Sequence, residues 1–255
     1  MAKYQLEVGA RTVEDALSAW RGGADRVELY VSPTEGALTP SAGLVYSAVA
    51  AKKAAGSNLG LYIMLRPRSG DFLYTQEEID MMVMQIAELK AAGADGFVIG
   101  CLDAEGNLDF NAMKRLVKAA EGACLTLHRC IDVSYDPVQT YHQAAALGID
   151  TVLTSGAAVN CANGCEVLET LLTQRDLTNG PEVLIGAGIN ASNIQQLCAQ
   201  HPKARAFHAS CKELIESQMQ FRRMDIPMGL PGLDEWHIQQ TDEAQVRALK
   251  NFLSE

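Results

Sequence analysis

The chain has no run of lysine or arginine, and its 21 basic residues are outnumbered by 31 acidic ones, for a formal net charge of −10. A phosphate backbone or an anionic membrane surface calls for a basic face, so neither nucleic acid nor membrane is an expected partner. No apolar run approaches the ~18 residues of a membrane span. Met1 to Val8 is too short and too polar for a secretory signal, and a cytoplasmic protein is expected. The seven cysteines, at 101, 124, 130, 161, 165, 198 and 211, are odd in number and scattered, which argues against a disulfide framework. Cys161 and Cys165 lack the second pair of ligands that a structural zinc would need. No Pro/Gly/Ser-rich linker divides the chain.

What is present is an ordinary globular composition, 48% hydrophobic and 20% charged over 255 residues, enough for one large α/β domain. A glycine followed by a short apolar strand recurs along it. Gly23-Ala24-Asp25 precedes Arg26–Leu29, Gly93-Ala94-Asp95 precedes Gly96–Ile99, and Gly148-Ile149-Asp150 precedes Thr151–Thr154; glycines 56, 122 and 180 stand before similar stretches. Glycine suits the left-handed residue that ends a helix. Strands are expected at about 4–8, 26–29, 59–65, 96–100, 124–128, 151–154, 182–186 and 205–209. Between them, stretches such as Val13 to Arg21, Gln76 to Ala92 and Phe110 to Glu121 carry apolar residues at helical spacing. Strict alternation of strand and helix implies parallel strands, and eight of them imply closure into a single (β/α)8 TIM barrel. Met224 to Asp234 reads as an irregular loop before a last helix, Asp242 to Phe252.

Side chains alternate along a strand, so one set faces the helices and the other fills the barrel. That parity sends Leu6, Val8, Val27, Leu29, Leu61 and Ile63 outward. It sends Glu7, Glu28, Arg66, Arg68, His128 and His208 inward, mostly late in their strands, where barrel enzymes hold their chemistry. Buried charge is costly unless paired. The inward set is therefore either a group of mutually satisfied ion pairs or a site. Beyond the strands, Asp71, Arg129, Asp132, Ser155, Gly188 and Ser210 are candidates for substrate contact. Gly186-Ala187-Gly188-Ile189-Asn190 follows strand 7, where many barrels bind phosphate, although two glycines also make any tight turn. Asp132 could orient Arg129 or merely close a turn. Met81, Met82 and Met84 read as core filler, and His142, His201 and His237 as packing or solvated residues.

Several of these stretches together resemble the CutC family, named for a proposed role in copper homeostasis. They are Gly23–Leu29, Glu35–Ser41, Arg66–Phe72, Thr126–Asp132, Val152–Gly156 and Arg222. The resemblance spans nearly the whole chain and implies a TIM barrel and a link with copper. Where the family commonly closes strands 1 and 2 with cysteine, this chain has Gly9 and Tyr30, and Cu(I) favours soft thiolate or thioether ligands.

Two functional readings stay open. One is a copper-binding protein, as the resemblance implies. The other is an enzyme in which Arg66 and Arg68 hold an anionic oxygen while Glu7 or Glu28 and His128 or His208 exchange protons with a small anionic or sugar-like metabolite. No lysine sits late in any strand, so Schiff-base chemistry is disfavoured, leaving an isomerase, lyase or hydrolase. Glu7, Glu28, His128 and His208 are also an oxygen and nitrogen set that suits a divalent metal. Substrate, cofactor and oligomeric state, a homo-oligomer included, are left open.

Overall fold

The computed structural model describes residues 4–229, 232 and 234–254. The opening Met1 to Lys3, and Leu230, Pro231 and Leu233 of the expected late loop, lie outside the described residues. Eight parallel strands close in sequence order: β1 (Gln5–Ala10), β2 (Arg26–Leu29), β3 (Gly60–Met64), β4 (Gly96–Ile99), β5 (Cys124–Leu127), β6 (Thr151–Thr154), β7 (Glu182–Ile185) and β8 (Ala206–Ala209). The barrel shuts where Glu7 of β1 stands opposite His208 of β8. Helices α1 (Val13–Arg21), α2 (Ala42–Ala54), α3 (Gln76–Ala92), α4 (Phe110–Ala119), α5 (Pro137–Ala146), α6 (Cys165–Thr178) and α7 (Ile194–Gln200) follow β1 to β7 in turn.

The parity holds. Leu6, Val8, Val27, Leu29, Ile63 and Phe207 belong to the main core between the strands and their helices. Burying one such side chain stabilises by about 1.5–3 kcal/mol. Inside the barrel, Met64 and Val98 pack with Tyr30, and Leu153 packs with Leu184 and Ala206. The helices start as their sequences indicate: Thr12 and Thr75 each form a reciprocal capping box, with Asp15 and Glu78.

Most of the expected glycines take the left-handed conformation, with φ of +93° at Gly23 and +107° at Gly93. The unit before β7 differs. There Asn179 takes φ 50°, and Gly180 is required by close approach, since a Cβ on it would stand 2.7 Å from the Tyr141 hydroxyl oxygen.

After β8 the chain adds an antiparallel ribbon, β9 (Lys212–Glu216) with β10 (His237–Thr241), before α8 (Glu243–Ser254) closes the ring. The irregular stretch expected at 224–234 lies within this ribbon's connection. Every residue of β9 is exposed, so no buried face imprints a pattern on its sequence. Arg222 pairs with Glu216 at 3.1 Å and stacks on Trp236. Among the described residues, no helix is long and apolar enough to cross a membrane.

Candidate functional site

At the C-terminal ends of the strands a cavity of about 300 Å³ opens among Glu28, Arg66, His128, Arg129, His208 and Ser210, with Gly188 and Tyr30 also on its wall. The βα loops around it hold non-glycine residues at positive φ, with Ala37 and Ala187, both lining the cavity, at 70°. A left-handed alanine costs roughly 1–2 kcal/mol. Such strain concentrates where a site is held in a set shape.

Beneath the cavity runs a chain of buried charge. Arg26 Nε stands 2.6 Å from Glu7 Oε2, an ion-pair distance that lies off the line of a hydrogen bond. Glu7 Oε1 meets His208 Nδ1 at 2.7 Å, and His208 Nε2 reaches to 3.8 Å from Glu28 Oε2. Burial works against the ionised form of Glu7, but Arg26 and His208 outweigh it and hold the carboxyl below its ordinary range. His208 is shifted the other way: burial opposes its cation, and the two glutamates overcome burial and raise its pKa. Glu28 has no such guanidinium in contact. Burial, reinforced by Glu7, raises it from 4.5 to about 7 against the pull of His208. Glu28 Oε1 is buried without a protein partner. A proton can therefore be carried on Glu28 or released from it near neutrality, beside the ring of His208.

His128 behaves differently. Its Nδ1 accepts from the Cys130 N–H at 3.1 Å, so a neutral ring carries its proton on Nε2. Burial, and then the nearby Arg66 cation, lower its pKa to about 3. The ring is a neutral donor at physiological pH.

The structure brings Glu28, Arg66, His128, Arg129, His208, Gly188 and Ser210 to one cavity. Glu7 lies a layer deeper and acts through His208. Arg68 does not join them, which corrects the expected arginine pair. β3 ends at Met64, and beyond Pro67 the alternation no longer holds. Arg68 swings to the surface, pairing with Asp71 at 2.9 Å and Glu78 at 2.7 Å, and takes the exposed Asp71 with it. Nor is Arg66 a vacant anion clamp, since its guanidinium already donates to the carbonyls of Glu35, Gly36 and Gly70 at 2.7–2.9 Å. Arg129 holds the rim. Asp132 accepts from Arg129 Nε at 2.7 Å and Ser155 Oγ accepts from Arg129 Nη2 at 2.8 Å, so Asp132 orients an arginine as well as closing its turn. Sequence reasoning missed Arg26. Its parity marks it as inward, but it stands early in β2, away from the mouth where charge was sought.

Among the described residues, Glu7, Glu28 and His208 bring one possible ligand atom each within 4.8 Å of one another. Arg26 already neutralises Glu7, however, and His208 Nδ1 is bound to it, which is the geometry of shared protons more than of a cation cage. Copper(I) fits less well. The mouth offers oxygen, nitrogen and the single thioether of Met64, whereas Cys101 and Cys130 are buried in the core behind the strands, where burial pushes both thiols up.

A closed ring of eight parallel strands alternating with helices, with a polar cavity at its C-terminal mouth, places the chain among the (β/α)8 TIM barrels. The family model of the CutC family matches residues 4–213. A family protein CutC of Bacteroides thetaiotaomicron is 38% identical over 230 residues, covering 90% of this chain and 89% of the relative. Another, of Erwinia tasmaniensis, is 34% identical over 250 residues, covering 98% and 96%. The crystal structure of a Streptococcus agalactiae CutC, a protein proposed to serve copper homeostasis, superposes with a TM-score of 0.74 at 25% identity, over 81% of this chain and 99% of that one. The chain belongs to the CutC family.

Proposed function

We propose that the protein takes part in copper homeostasis, as its S. agalactiae relative is proposed to, through a mouth that binds a small anionic metabolite and moves a proton on it rather than through a thiolate cage for Cu(I). Kinship supports the first half of that reading. The second rests on one observation: Glu28, buried on the cavity wall with one oxygen unpartnered, ends a charge chain of Arg26, Glu7 and His208. What sets this oxygen apart from the unpartnered atoms of Glu7 and Arg26 deeper in the chain is that its residue lines the cavity, where a ligand can meet it. Isomerase or lyase chemistry fits this equipment. Free thiols at Cys101, Cys130, Cys161 and Cys211 support a reducing, cytoplasmic location.

The test is calorimetric titration of Cu(I) and of oxalate into reduced protein, beside the Glu28→Ala and His128→Ala variants. Oxalate is expected to bind the wild type, and Cu(I) to bind weakly. Tight Cu(I) binding that survives both substitutions would overturn the reading.

A further inference from the structure

Resting on that reading of the mouth, two of the cavity's three buried unpartnered groups, His128 Nε2 and Glu28 Oε1, specify a reaction, and Arg66 Nε is the third. The ring of His128 is fixed on three sides. Cys130 donates to its Nδ1, the Phe72 ring stands 4.9 Å away centroid to centroid, and a Cβ on Gly100 would lie 2.5 Å from its Cε1. Glycine at 100 is what lets the ring sit there. The remaining ring N–H, on Nε2, is buried and has no protein partner. Glu28 Oε1 is likewise buried and unpartnered on the same cavity wall. One group can hold an oxygen on which negative charge develops, and the other can take a proton.

We propose that the cavity enolises a small 2-oxo acid, with the carboxylate of the acid on Arg129, its keto oxygen on His128 Nε2–H, and the proton of the neighbouring carbon taken by Glu28. The C–H bond breaks and its electron pair forms the carbon–carbon double bond. The carbonyl pair moves onto oxygen, where the His128 N–H and the adjacent Arg66 cation stabilise the enolate. Return of the proton to the same carbon regenerates the acid, so nothing is oxidised or reduced and no further reactant is needed. A neutral imidazole can polarise a carbonyl through such an N–H.

The substrate class follows from the wall. Arg66 commits Nη1 and Nη2 to loop carbonyls, while Arg129, held on the rim through Nε and Nη2 by Asp132 and Ser155, keeps Nη1 to recognise a single carboxylate. Met64, Phe72, Leu153 and Ile189 suit a short alkyl chain, and the volume of about 300 Å³ suits a molecule of few carbons. Among the described residues no lysine lines the cavity, so the carbonyl is activated by hydrogen bonding instead of by an imine.

The experiment follows the methyl protons of pyruvate and the methylene protons of 2-oxobutyrate by ¹H NMR in D₂O, with oxalate, a planar mimic of the enolate, titrated in parallel. Wild-type protein is expected to speed exchange at least about tenfold over buffer. Glu28→Gln should abolish that gain, and His128→Gln should cut it by roughly 10- to 100-fold. If Glu28→Gln does not fold, Glu28→Asp keeps the carboxyl but withdraws it by one methylene, and should slow exchange at unchanged oxalate affinity. Oxalate binding with no exchange of either acid overturns enolisation and leaves the anion site standing. Failure of oxalate and both acids to bind overturns both readings, and exchange that is indifferent to Glu28 overturns this one.

Discussion

Gly9 and Tyr30 form a single fitted unit: a Cβ at position 9 would stand 2.9 Å from Tyr30 Cε1 and 3.1 Å from its hydroxyl oxygen. Gly9 is the last residue but one of β1 and Tyr30 follows the end of β2, the two neighbouring strands that carry Glu7 and Glu28. The absence of a side chain at 9 is what allows a phenol to line the cavity at 30.

That fit predicts a coupled pair. Gly9→Ala should destabilise the protein by about 1–3 kcal/mol through overpacking, while Gly9→Ala combined with Tyr30→Ala should cost less than the sum of the two single changes. Urea unfolding of the four proteins closes the cycle. Additivity would show that the ring moves aside freely and that the fit is incidental.

Glu28 should make stability fall as pH rises. Its carboxyl titrates near 4.5 when unfolded and at about 7 when folded, so the folded protein holds the proton more tightly. The stabilisation is complete below 4.5 and is lost as pH climbs through about 7, a change of up to about 3 kcal/mol. His208, whose pKa is also raised in the fold, pulls in the same direction. Glu28→Gln should flatten the dependence between pH 5 and 8 in urea titrations, and an unchanged slope in that variant would assign the effect elsewhere.

The barrel was legible because its strands repeat one local rule, apolar residues outward at every second position, and β2 to β6 each follow a helix with a left-handed glycine beyond its end. The same rule found Glu28, His128 and His208. Parity gives the face of a strand and not the depth, however, so it could not separate Glu7, sealed beneath His208, from Glu28 on the cavity wall. It also lapses where a strand ends, which is how Arg68 was drawn into the mouth. The ribbon of β9 and β10 left no trace because neither face of β9 is buried. Arg66 was read as a ligand clamp because nothing in the sequence around it shows that the carbonyls of a loop thirty residues earlier converge on its guanidinium.

That convergence gives Arg66 a different expected role. Its Nη1 donates to the carbonyls of Glu35 and Gly36, its Nη2 donates to that of Gly70, and the guanidinium stacks on Phe72 at 4.8 Å. Arg66→Lys keeps the charge but loses the planar fork. It should destabilise by about 2–4 kcal/mol and expose the 33–37 segment to limited proteolysis. Cleavage there at the wild-type rate would show that the loop stands without its latch.

Asp132 offers a last prediction, because every group that meets it is a donor. Oδ1 accepts from Thr154 Oγ1 at 2.5 Å and from the Ala157 N–H at 3.1 Å, and Oδ2 accepts from Arg129 Nε at 2.7 Å and Ser155 Oγ at 2.9 Å. An asparagine must turn its NH₂ toward one of these pairs whichever way it faces, placing donor against donor. Asp132→Asn should therefore cost about 2–4 kcal/mol of stability and release Arg129 from its place on the rim. Arg129→Ala, at a half-exposed side chain, should weaken oxalate binding with little loss of stability. Because Asp132 acts on the ligand only through Arg129, the double variant should bind oxalate no more weakly than Arg129→Ala alone. A double variant that is weaker again would mean that Asp132 reaches the ligand by a route other than this arginine.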